Sequence, residues 1–136
     1  MKHGKVYVVQ DSSEYIQRQS NGLVVVDYNT EWCGPCRKFA PIFEEMAKRY
    51  PETVFLSVDS ENIDHPDCQS IQKVPTFKIF LRGELKQEFS GVDSERLERY
   101  IQRYQIRVLW AGQTLRTITP SQRKEIIEYL DSITEK

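Results

Sequence analysis

The feature that most constrains the fold is a cysteine pair lying between two segments of different hydrophobic period. Leu23–Tyr28 is a nearly continuous apolar run, which predicts a strand buried on both faces of a sheet. From Cys36 to Tyr50 the large apolar residues recur at spacings of three and four, which predicts one buried face of a helix. Cys33-Gly34-Pro35-Cys36 joins the two segments. A central strand therefore leads into a helix whose first turn carries two cysteines.

Strand and helix signals also alternate along the rest of the first hundred residues. Asp11 predicts an N-cap for a first helix, Arg82–Glu84 a hairpin turn, and Asp93 the cap of a last helix. Helices between strands imply parallel pairing, and a hairpin adds antiparallel pairing. The sequence therefore predicts an α/β fold in the order βαβαβαββα, with a central mixed β-sheet flanked by helices on both faces. The remaining predicted strands are Lys5–Val9, Val54–Val58, Thr76–Leu81 and Leu85–Phe89, and a short helix is predicted within Ser60–Gln72.

The sequence after residue 105 forms a separate pattern, so we predict a domain over residues 1–105 and a C-terminal extension over residues 106–136. Arg107–Trp110 and Thr114–Ile118 are strand-like, and Thr119–Gln122 is typical of a capped helix start. The helix that follows has an apolar stripe, which needs a docking surface because short helices are marginal alone in water. We expect it to dock on the same domain; a second copy or another protein are the alternatives. The stripe comprises Ile126, Ile127, Leu130 and Ile133.

Charge and apolar run lengths argue against several classes of function. The 136 residues include 19 Lys or Arg and 20 Asp or Glu, a net charge of -1, which argues against nucleic acid and polybasic membrane-surface binding. No apolar run approaches the roughly 18 residues of a membrane span. No apolar signal segment is recognisable near the start, so we expect a cytoplasmic location. The oligomeric state stays open.

The cysteine pair is suited to thiol chemistry. A thiolate is the nucleophile in disulfide exchange, and the positive end of a helix dipole favours its formation. Cys33 would lie at that end and attack, while Cys36, one turn further in, would resolve the mixed disulfide. The alternative is a zinc site, for which the pair supplies two of four ligands. Cys68, His3 and His65 are then the remaining candidates, without a second paired motif.

Asp27 is unusual because it interrupts a run that is otherwise apolar. An unpaired buried carboxylate is costly, so the pKa of Asp27 should be raised. Buried acids without a partner often have a functional role. The alternative is a structural carboxylate that is hydrogen-bonded near the end of the strand.

Glu31-Trp32-Cys33-Gly34-Pro35-Cys36-Arg37, the segment that contains the cysteine pair, resembles the active-site signature of the thioredoxin family. Further segments match in the same order along the chain, and the similarity extends over about residues 5 to 104. The resemblance implies a thioredoxin fold and a protein-disulfide reductase that needs no bound cofactor or metal. It also implies two kinds of partner, protein disulfide substrates and a thioredoxin reductase as electron donor. The other matching segments are Val26–Tyr28, Ala40-Pro41, Phe55–Asp59, Val74–Thr76, Gly83 and Gly91.

The resemblance also assigns roles to individual residues. Asp27 would accept the Cys36 proton during resolution, although Phe55 stands where the family often has a lysine near this aspartate. Pro75 would follow a cis peptide bond and face the cysteines, leaving the Val74 backbone free to pair with a substrate strand. Trp32 would be an exposed docking surface; its alternative is ordinary core packing. The expected substrate-binding residues are Trp32, Gly34, Pro35, Val74, Pro75 and Gly91.

Three further interpretations concern the direction of the redox reaction, the competing function and the role of Cys68. Gly34 and Pro35 offer the Cys33 thiolate no side-chain donor or charge, which favours a reductant over an oxidase or isomerase. The competing function is an interaction module or adaptor whose C-terminal helix binds a partner protein. The intact pair Cys33 and Cys36 argues against that function, because a scaffold does not need both. Cys68 is expected to be an incidental thiol, with a regulatory or dimer-forming role as the alternative.

Overall fold

The computed structural model describes residues 2–112, 119–121, 124, 125 and 128. Strands and helices follow one another in the predicted order βαβαβαββα, which is confirmed. The strands are β1 (Val6–Val8), β2 (Leu23–Asn29), β3 (Val54–Asp59), β4 (Thr76–Leu81) and β5 (Glu84–Ser90). The helices are α1 (Ser12–Gln19), α2 (Gly34–Arg49), α3 (Pro66–Gln69) and α4 (Ser94–Gly112). No helix in this described part is long and apolar enough to cross a membrane.

The five strands form one sheet, which is mixed as predicted, and their order within it is β1-β3-β2-β4-β5. The three strands that are followed by helices pair in parallel, whereas β4 is antiparallel to both β2 and β5. Tyr28, near the end of β2, lies opposite Thr76 at the start of β4. The segment before β4 therefore reaches the same end of the sheet at which β2 leads into α2.

Helices cover both faces of the sheet, each over its own apolar core. On one face α2 and α4 bury Phe39, Phe43, Leu97 and Ile101 against the strands. On the other face α1 and α3 contribute Tyr15 and Cys68 to a second cluster. Because side chains alternate along a strand, successive β2 residues enter different cores. Val25 and Asp27 therefore share the α2 face, and Val26 and Tyr28 share the α1 face.

Local signals in the sequence explain where these elements begin and end. Asp11 caps α1, because its carboxylate accepts from the Glu14 backbone N–H at 2.8 Å. Glu14 in turn accepts from the Gln10 N–H at 2.7 Å, so two amides at the helix start are satisfied. The hairpin between β4 and β5 turns on Arg82 and Gly83, both with positive φ, 52° and 85°. A two-residue turn of this kind matches the twist of the strands it joins.

The extension differs from its prediction. The expected strand-like run Arg107–Trp110 is wrong, because α4 continues through it to Gly112. Adding residues to a formed helix is easier than nucleating a new element, and glycine commonly ends helices. The predicted division between residues 105 and 106 thus falls within one helix. Thr114–Ile118 and the stripe Ile126, Ile127, Leu130 and Ile133 lie outside the described residues, although Pro120, Ser121, Lys124, Glu125 and Glu128 are helical.

Candidate active site

Cys33 and Cys36 form a disulfide at the start of α2. Their sulfurs are 2.10 Å apart and their Cα atoms 5.2 Å apart. Cys33 is the N-cap of α2, and its Sγ accepts from the Cys36 backbone N–H at 3.1 Å. A sulfur in this position lies beside unpaired helix amides and the positive end of the helix dipole, both of which stabilise negative charge. When the disulfide is reduced, the local field therefore favours a thiolate on Cys33.

The surroundings of the disulfide combine two buried sulfurs with an exposed aromatic side chain. Cys33 and Cys36 are 7% and 5% exposed, whereas Trp32 is 79% exposed. The alternative that Trp32 packs in the core is therefore wrong. Pro35 is exposed, and a Cβ added at Gly34 would meet no atom within 4 Å. The chain thus presents an open, partly apolar surface next to a shielded disulfide.

The loop before β4 lies at the same end of the sheet. The Val74–Pro75 peptide bond is cis, as the resemblance implied. The Gly91 N–H donates to the Pro75 carbonyl oxygen at 2.9 Å, and Gly91 has a φ of 93°, a conformation that suits glycine. The fold thus brings Val74, Pro75 and Gly91 to the end of β2 from which the chain enters α2.

Asp27 is a buried carboxylate with an unpartnered oxygen. It is 3% exposed, and its Oδ1 has no hydrogen-bond partner among the described residues. Burial raises the pKa of Asp27 from 3.8 to about 7, and the neighbouring Asn29 amide opposes part of that rise. Asp27 forms no ion pair within the described part of the chain. The unpartnered oxygen argues against the alternative of a hydrogen-bonded structural carboxylate.

Packing between α2 and the sheet relates Asp27 to the disulfide. Phe77 on β4 is directly opposite Asp27, and the Phe39 ring of α2 contacts the Phe77 ring at 5.1 Å between centroids. Cys36 precedes Phe39 by one helical turn, and both are buried on the same side of α2. Because α2 begins beyond the end of β2, Cys36 lies further toward that end than Phe39. The carboxyl of Asp27 and Cys36 consequently belong to the same face and the same end of the sheet.

Among the residues that the structure describes, no cation takes the place of the lysine that the family often has near this aspartate. Phe55 occupies that position on the α2 face of β3, where its ring contacts Phe43 at 5.1 Å. Lys78 on β4 is buried, but it lies opposite Val26 of β2 and therefore faces the α1 side. Sequence reasoning assigned no functional role to Asn29, whose amide donates to Ser57 Oγ at 2.9 Å. Its position two residues after Asp27, on the same strand face, was a usable signal.

The residues considered for zinc are not gathered around the cysteine pair. Cys68 is buried in the α1-side core, where burial raises the pKa of its thiol to about 11. His65 caps α3, accepting from the Asp67 N–H at 3.1 Å. Within the described residues no group of three or more His, Cys, Asp or Glu side chains could hold a metal ion.

Comparison with known proteins identifies the family. A family model described as thioredoxin matches residues 5–103. A thioredoxin of Ophiophagus hannah is 37% identical over 105 residues, which are 73% of this chain and 98% of that protein. The chain belongs to the thioredoxin family. As a member of that family it is a protein-disulfide oxidoreductase, and its Cys33–Cys36 pair is at disulfide distance and supports dithiol–disulfide exchange.

Solved structures of thioredoxins are similar over the same part of the chain. Plasmodium falciparum thioredoxin is 33% identical with a TM-score of 0.66, covering 72% of this chain and 98% of that one. A structure described as a complex of ferredoxin:thioredoxin reductase and thioredoxin f2 gives 30% identity and a TM-score of 0.65. That match covers 75% of this chain and 96% of the other. The thioredoxin fold predicted from the sequence is confirmed.

Proposed function

We propose that this protein reduces protein disulfides, with Cys33 as the attacking thiol, Cys36 as the resolving thiol and Asp27 as the proton acceptor. The observation that carries the proposal is the N-cap position of Cys33, whose Sγ accepts from the Cys36 amide. That interaction favours charge on Cys33 rather than on Cys36. The two thiols are therefore unequal, as a mechanism with separate attack and resolution requires.

The first step forms a mixed disulfide. The Cys33 thiolate attacks one sulfur of the substrate disulfide, and the substrate S–S bond breaks as the Cys33–substrate bond forms. The other substrate sulfur leaves as a thiolate and takes a proton from solvent. In the second step Cys36 Sγ attacks Cys33 Sγ, which releases the second substrate thiolate and forms the Cys33–Cys36 disulfide. Two electrons pass from the protein dithiol to the substrate.

Resolution requires the Cys36 thiol to lose its proton in a buried place. Cys36 is 5% exposed, so water has little access to it. Asp27, on the same face and end of the sheet, has an unpartnered oxygen and a pKa raised to about 7. A carboxylate that titrates near neutral pH can accept a proton at that pH and release it afterwards. These properties support Asp27 as the acceptor.

The exposed surface around the disulfide supports substrate docking. Trp32 is 79% exposed, and a large exposed aromatic side chain commonly marks an interaction surface. Gly34 and Pro35 leave open space beside it, and the Val74 backbone precedes the first strand residue of β4. A substrate strand could pair with that backbone while Pro75 and Gly91 border the cysteines.

The proposal includes an electron donor and a location. A thioredoxin similar to this chain has been solved with ferredoxin:thioredoxin reductase, which supports a reductase as the source of electrons. A dithiol that works as a reductant must be kept reduced, and the cytoplasm is a compartment where thiols stay reduced. Expression of the full chain with a fluorescent tag would test the cytoplasmic location.

The reduction potential of the Cys33–Cys36 couple tests the direction of the reaction. We expect a reduction potential of about -270 mV, as for reductants of this type, together with reduction of insulin disulfides. The potential is measured by equilibration of the full-length protein with glutathione redox buffers. A value near about -120 mV would instead identify a disulfide-forming oxidant and would contradict the proposal.

A further inference from the structure

The loop that precedes β4 is held by a hydrogen bond on each side of Val74. On one side, the Thr76 hydroxyl donates to the Lys73 carbonyl oxygen at 2.6 Å. On the other, the Gly91 N–H donates to the Pro75 carbonyl oxygen at 2.9 Å. The backbone N–H and carbonyl of Val74 itself have no hydrogen-bond partner among the described residues. The loop therefore presents one unpaired residue between two anchored carbonyl groups.

A second hydroxyl group orients the hydroxyl of Thr76. Thr76 Oγ1 lies 2.8 Å from the Oγ of Ser90, the residue directly opposite it on β5. A threonine hydroxyl has one hydrogen and a carbonyl oxygen can only accept, so that hydrogen is directed at Lys73. The Ser90 hydroxyl is therefore the donor to Thr76. Because the Thr76 side chain is buried, water does not compete for its hydroxyl.

The position of Thr76 in the sheet keeps its hydroxyl away from the thiols. Thr76 lies opposite Tyr28 of β2, and the side chains of directly opposite residues share a face. Its hydroxyl is therefore on the α1 side of the sheet, whereas Cys33 and Cys36 belong to the α2 side. Removal of this hydroxyl leaves the surroundings of the two sulfurs unchanged and acts on the loop alone.

We propose that Thr76 is a positioning residue whose hydroxyl, oriented by Ser90, holds the Val74 backbone in place for pairing with a substrate strand. The inference rests on the proposed function, in which a protein substrate pairs with that backbone beside Cys33. Without the hydroxyl, the Lys73 carbonyl loses its partner and the loop is no longer fixed on that side. Each binding event must then order the loop, which weakens binding.

The test compares a polypeptide disulfide with a small disulfide, using the full-length protein in its reduced form. Insulin can pair with the Val74 backbone, whereas hydroxyethyl disulfide has no peptide group. For Thr76→Val, which removes the hydroxyl at nearly the same shape, we expect the insulin concentration at half-maximal rate to rise about five-fold. The maximal rate with insulin and the rate with hydroxyethyl disulfide should keep their wild-type values. Acid quenching followed by thiol alkylation measures both reactions.

Three further variants show whether the hydroxyl is the cause. Thr76→Ser keeps the hydroxyl and should keep the half-saturating insulin concentration near wild type. Ser90→Ala removes the donor that orients Thr76 and should raise that concentration about two-fold. Thr53→Val is the matched control, because Thr53 is also buried but its hydroxyl has no hydrogen-bond partner among the described residues. Thr53 precedes β3 at the opposite end of the sheet, so this variant should leave the insulin kinetics unchanged.

The outcomes separate this inference from the proposed function. A folded Thr76→Val protein with the wild-type half-saturating concentration would overturn the inference, and so would equal losses with both disulfides. Thr76→Ser kinetics equal to those of Thr76→Val would also overturn it. If Thr76→Val does not fold, Ser90→Ala decides, and unchanged insulin kinetics there would count against the inference. A wild-type protein that reduces hydroxyethyl disulfide but not insulin would contradict the proposed function itself, whatever the variants show.

Discussion

Asp27 and Lys78 are two buried ionisable side chains on adjacent strands, and they differ in what surrounds them. They are 3% and 4% exposed, on β2 and β4 respectively. Asp27 faces α2 and the disulfide, while Lys78 faces the core under α1 and α3. The carboxylate of Asp27 keeps an oxygen without a partner among the described residues. The two side chains are therefore buried to a similar degree, but they differ in whether their polar atoms have hydrogen-bond partners.

Lys78 belongs to a connected polar cluster. Its Nζ lies 5.1 Å from the centre of the Tyr28 ring and donates a long hydrogen bond, 3.5 Å, to the Asp67 carbonyl oxygen. The Tyr28 and Tyr15 hydroxyls are hydrogen-bonded to each other, and the Tyr15 hydroxyl donates to Asp67 Oδ2 at 2.7 Å. Burial is the largest cause that raises the pKa of both tyrosines, so they stay neutral. The cluster ties α1, β2, β4 and α3 together.

The difference between the two sites indicates which buried polar group takes part in the redox reaction. A buried polar atom without a partner costs free energy that folding must recover elsewhere, so such atoms are rare unless they serve a function. A buried group with several partners rigidifies the fold instead. We therefore expect changes on the Asp27 face to alter redox kinetics, and changes in the Lys78 cluster to alter stability alone.

The largest expected effects come from the three cysteines, which are divided between the two faces. Cys33→Ser should abolish disulfide reduction, because the attacking thiolate is lost. Cys36→Ser should accumulate covalent complexes with substrate, because attack still occurs and resolution does not. Cys68→Ser, in the Lys78-side core, should keep full activity. The measurement is insulin reduction, together with gel analysis of trapped complexes without reducing agent.

The roles of the two active-site cysteines would be reversed if Cys33→Ser trapped substrates and Cys36→Ser trapped none. The distinction between the Asp27 face and the Lys78 face of the sheet would be contradicted if Cys68→Ser lost activity while its melting temperature stayed the same. Such a result would connect the Lys78-side core to the redox reaction.

The next largest effect is on stability and has opposite signs at two aspartates. The pKa of Asp27 is 3.8 ordinarily and about 7 when folded, so folding keeps a proton that the unfolded chain releases. Wild-type stability therefore falls as pH rises from about 4 to about 7 and stays lowered above that. Asp27→Asn should remove this loss, a gain of up to about 4 kcal/mol above pH 7. Urea unfolding at a series of pH values measures it.

Asp67→Asn is the matched change in the Lys78 cluster. It weakens the hydrogen bond from Tyr15 and removes the acidic residue from the first turn of α3. We expect a loss of about 1 kcal/mol, with unchanged resolution kinetics. A stability gain at Asp27 that did not depend on pH, or a gain at Asp67, would contradict the distinction between the two environments.

Much of this site could be predicted because its signals are local in the sequence. The change of period around Cys33–Cys36 specifies a strand that leads into a helix, and an acid within an apolar strand must be buried. The Arg82–Gly83 turn is likewise encoded by adjacent residues. These features need no knowledge of distant contacts, and for that reason the order of elements along the chain, the start of α2 and the burial of Asp27 could be predicted.

The features that escaped prediction depend on contacts between distant residues or on competition between elements. The cluster of Tyr15, Tyr28, Asp67 and Lys78 draws on four elements, and no short segment of sequence contains it. Ser57 is opposite Asp27 only because β2 and β3 pair in one particular register. The run Arg107–Trp110 has strand-like residues, but the preceding helix extends through it. In each case tertiary context overrides or completes the local preference.

A smaller effect should follow from a change at the centre of the Lys78 cluster. Tyr15→Phe removes the hydroxyl that bonds to both Tyr28 and Asp67 and leaves the ring in place. Because those partners are buried or half-buried, we expect a loss of about 1 to 3 kcal/mol in the free energy of unfolding. Reduction potential and resolution rate should stay at wild-type values. A change in the pH profile of resolution would show that the two faces are coupled.

The smallest effect on activity is expected from removing residues 113–136. Every residue discussed in the two buried environments precedes residue 113, so truncation after Gly112 should leave insulin reduction and its pH dependence unchanged. This end point keeps α4 whole, whereas a cut after Tyr104 would divide it. If the apolar stripe of the extension docks on this domain, the truncated chain should melt a few degrees lower, because buried apolar area is lost. Equal melting temperatures, with a full-length chain that sediments as a monomer, would instead favour an extension that binds a partner protein.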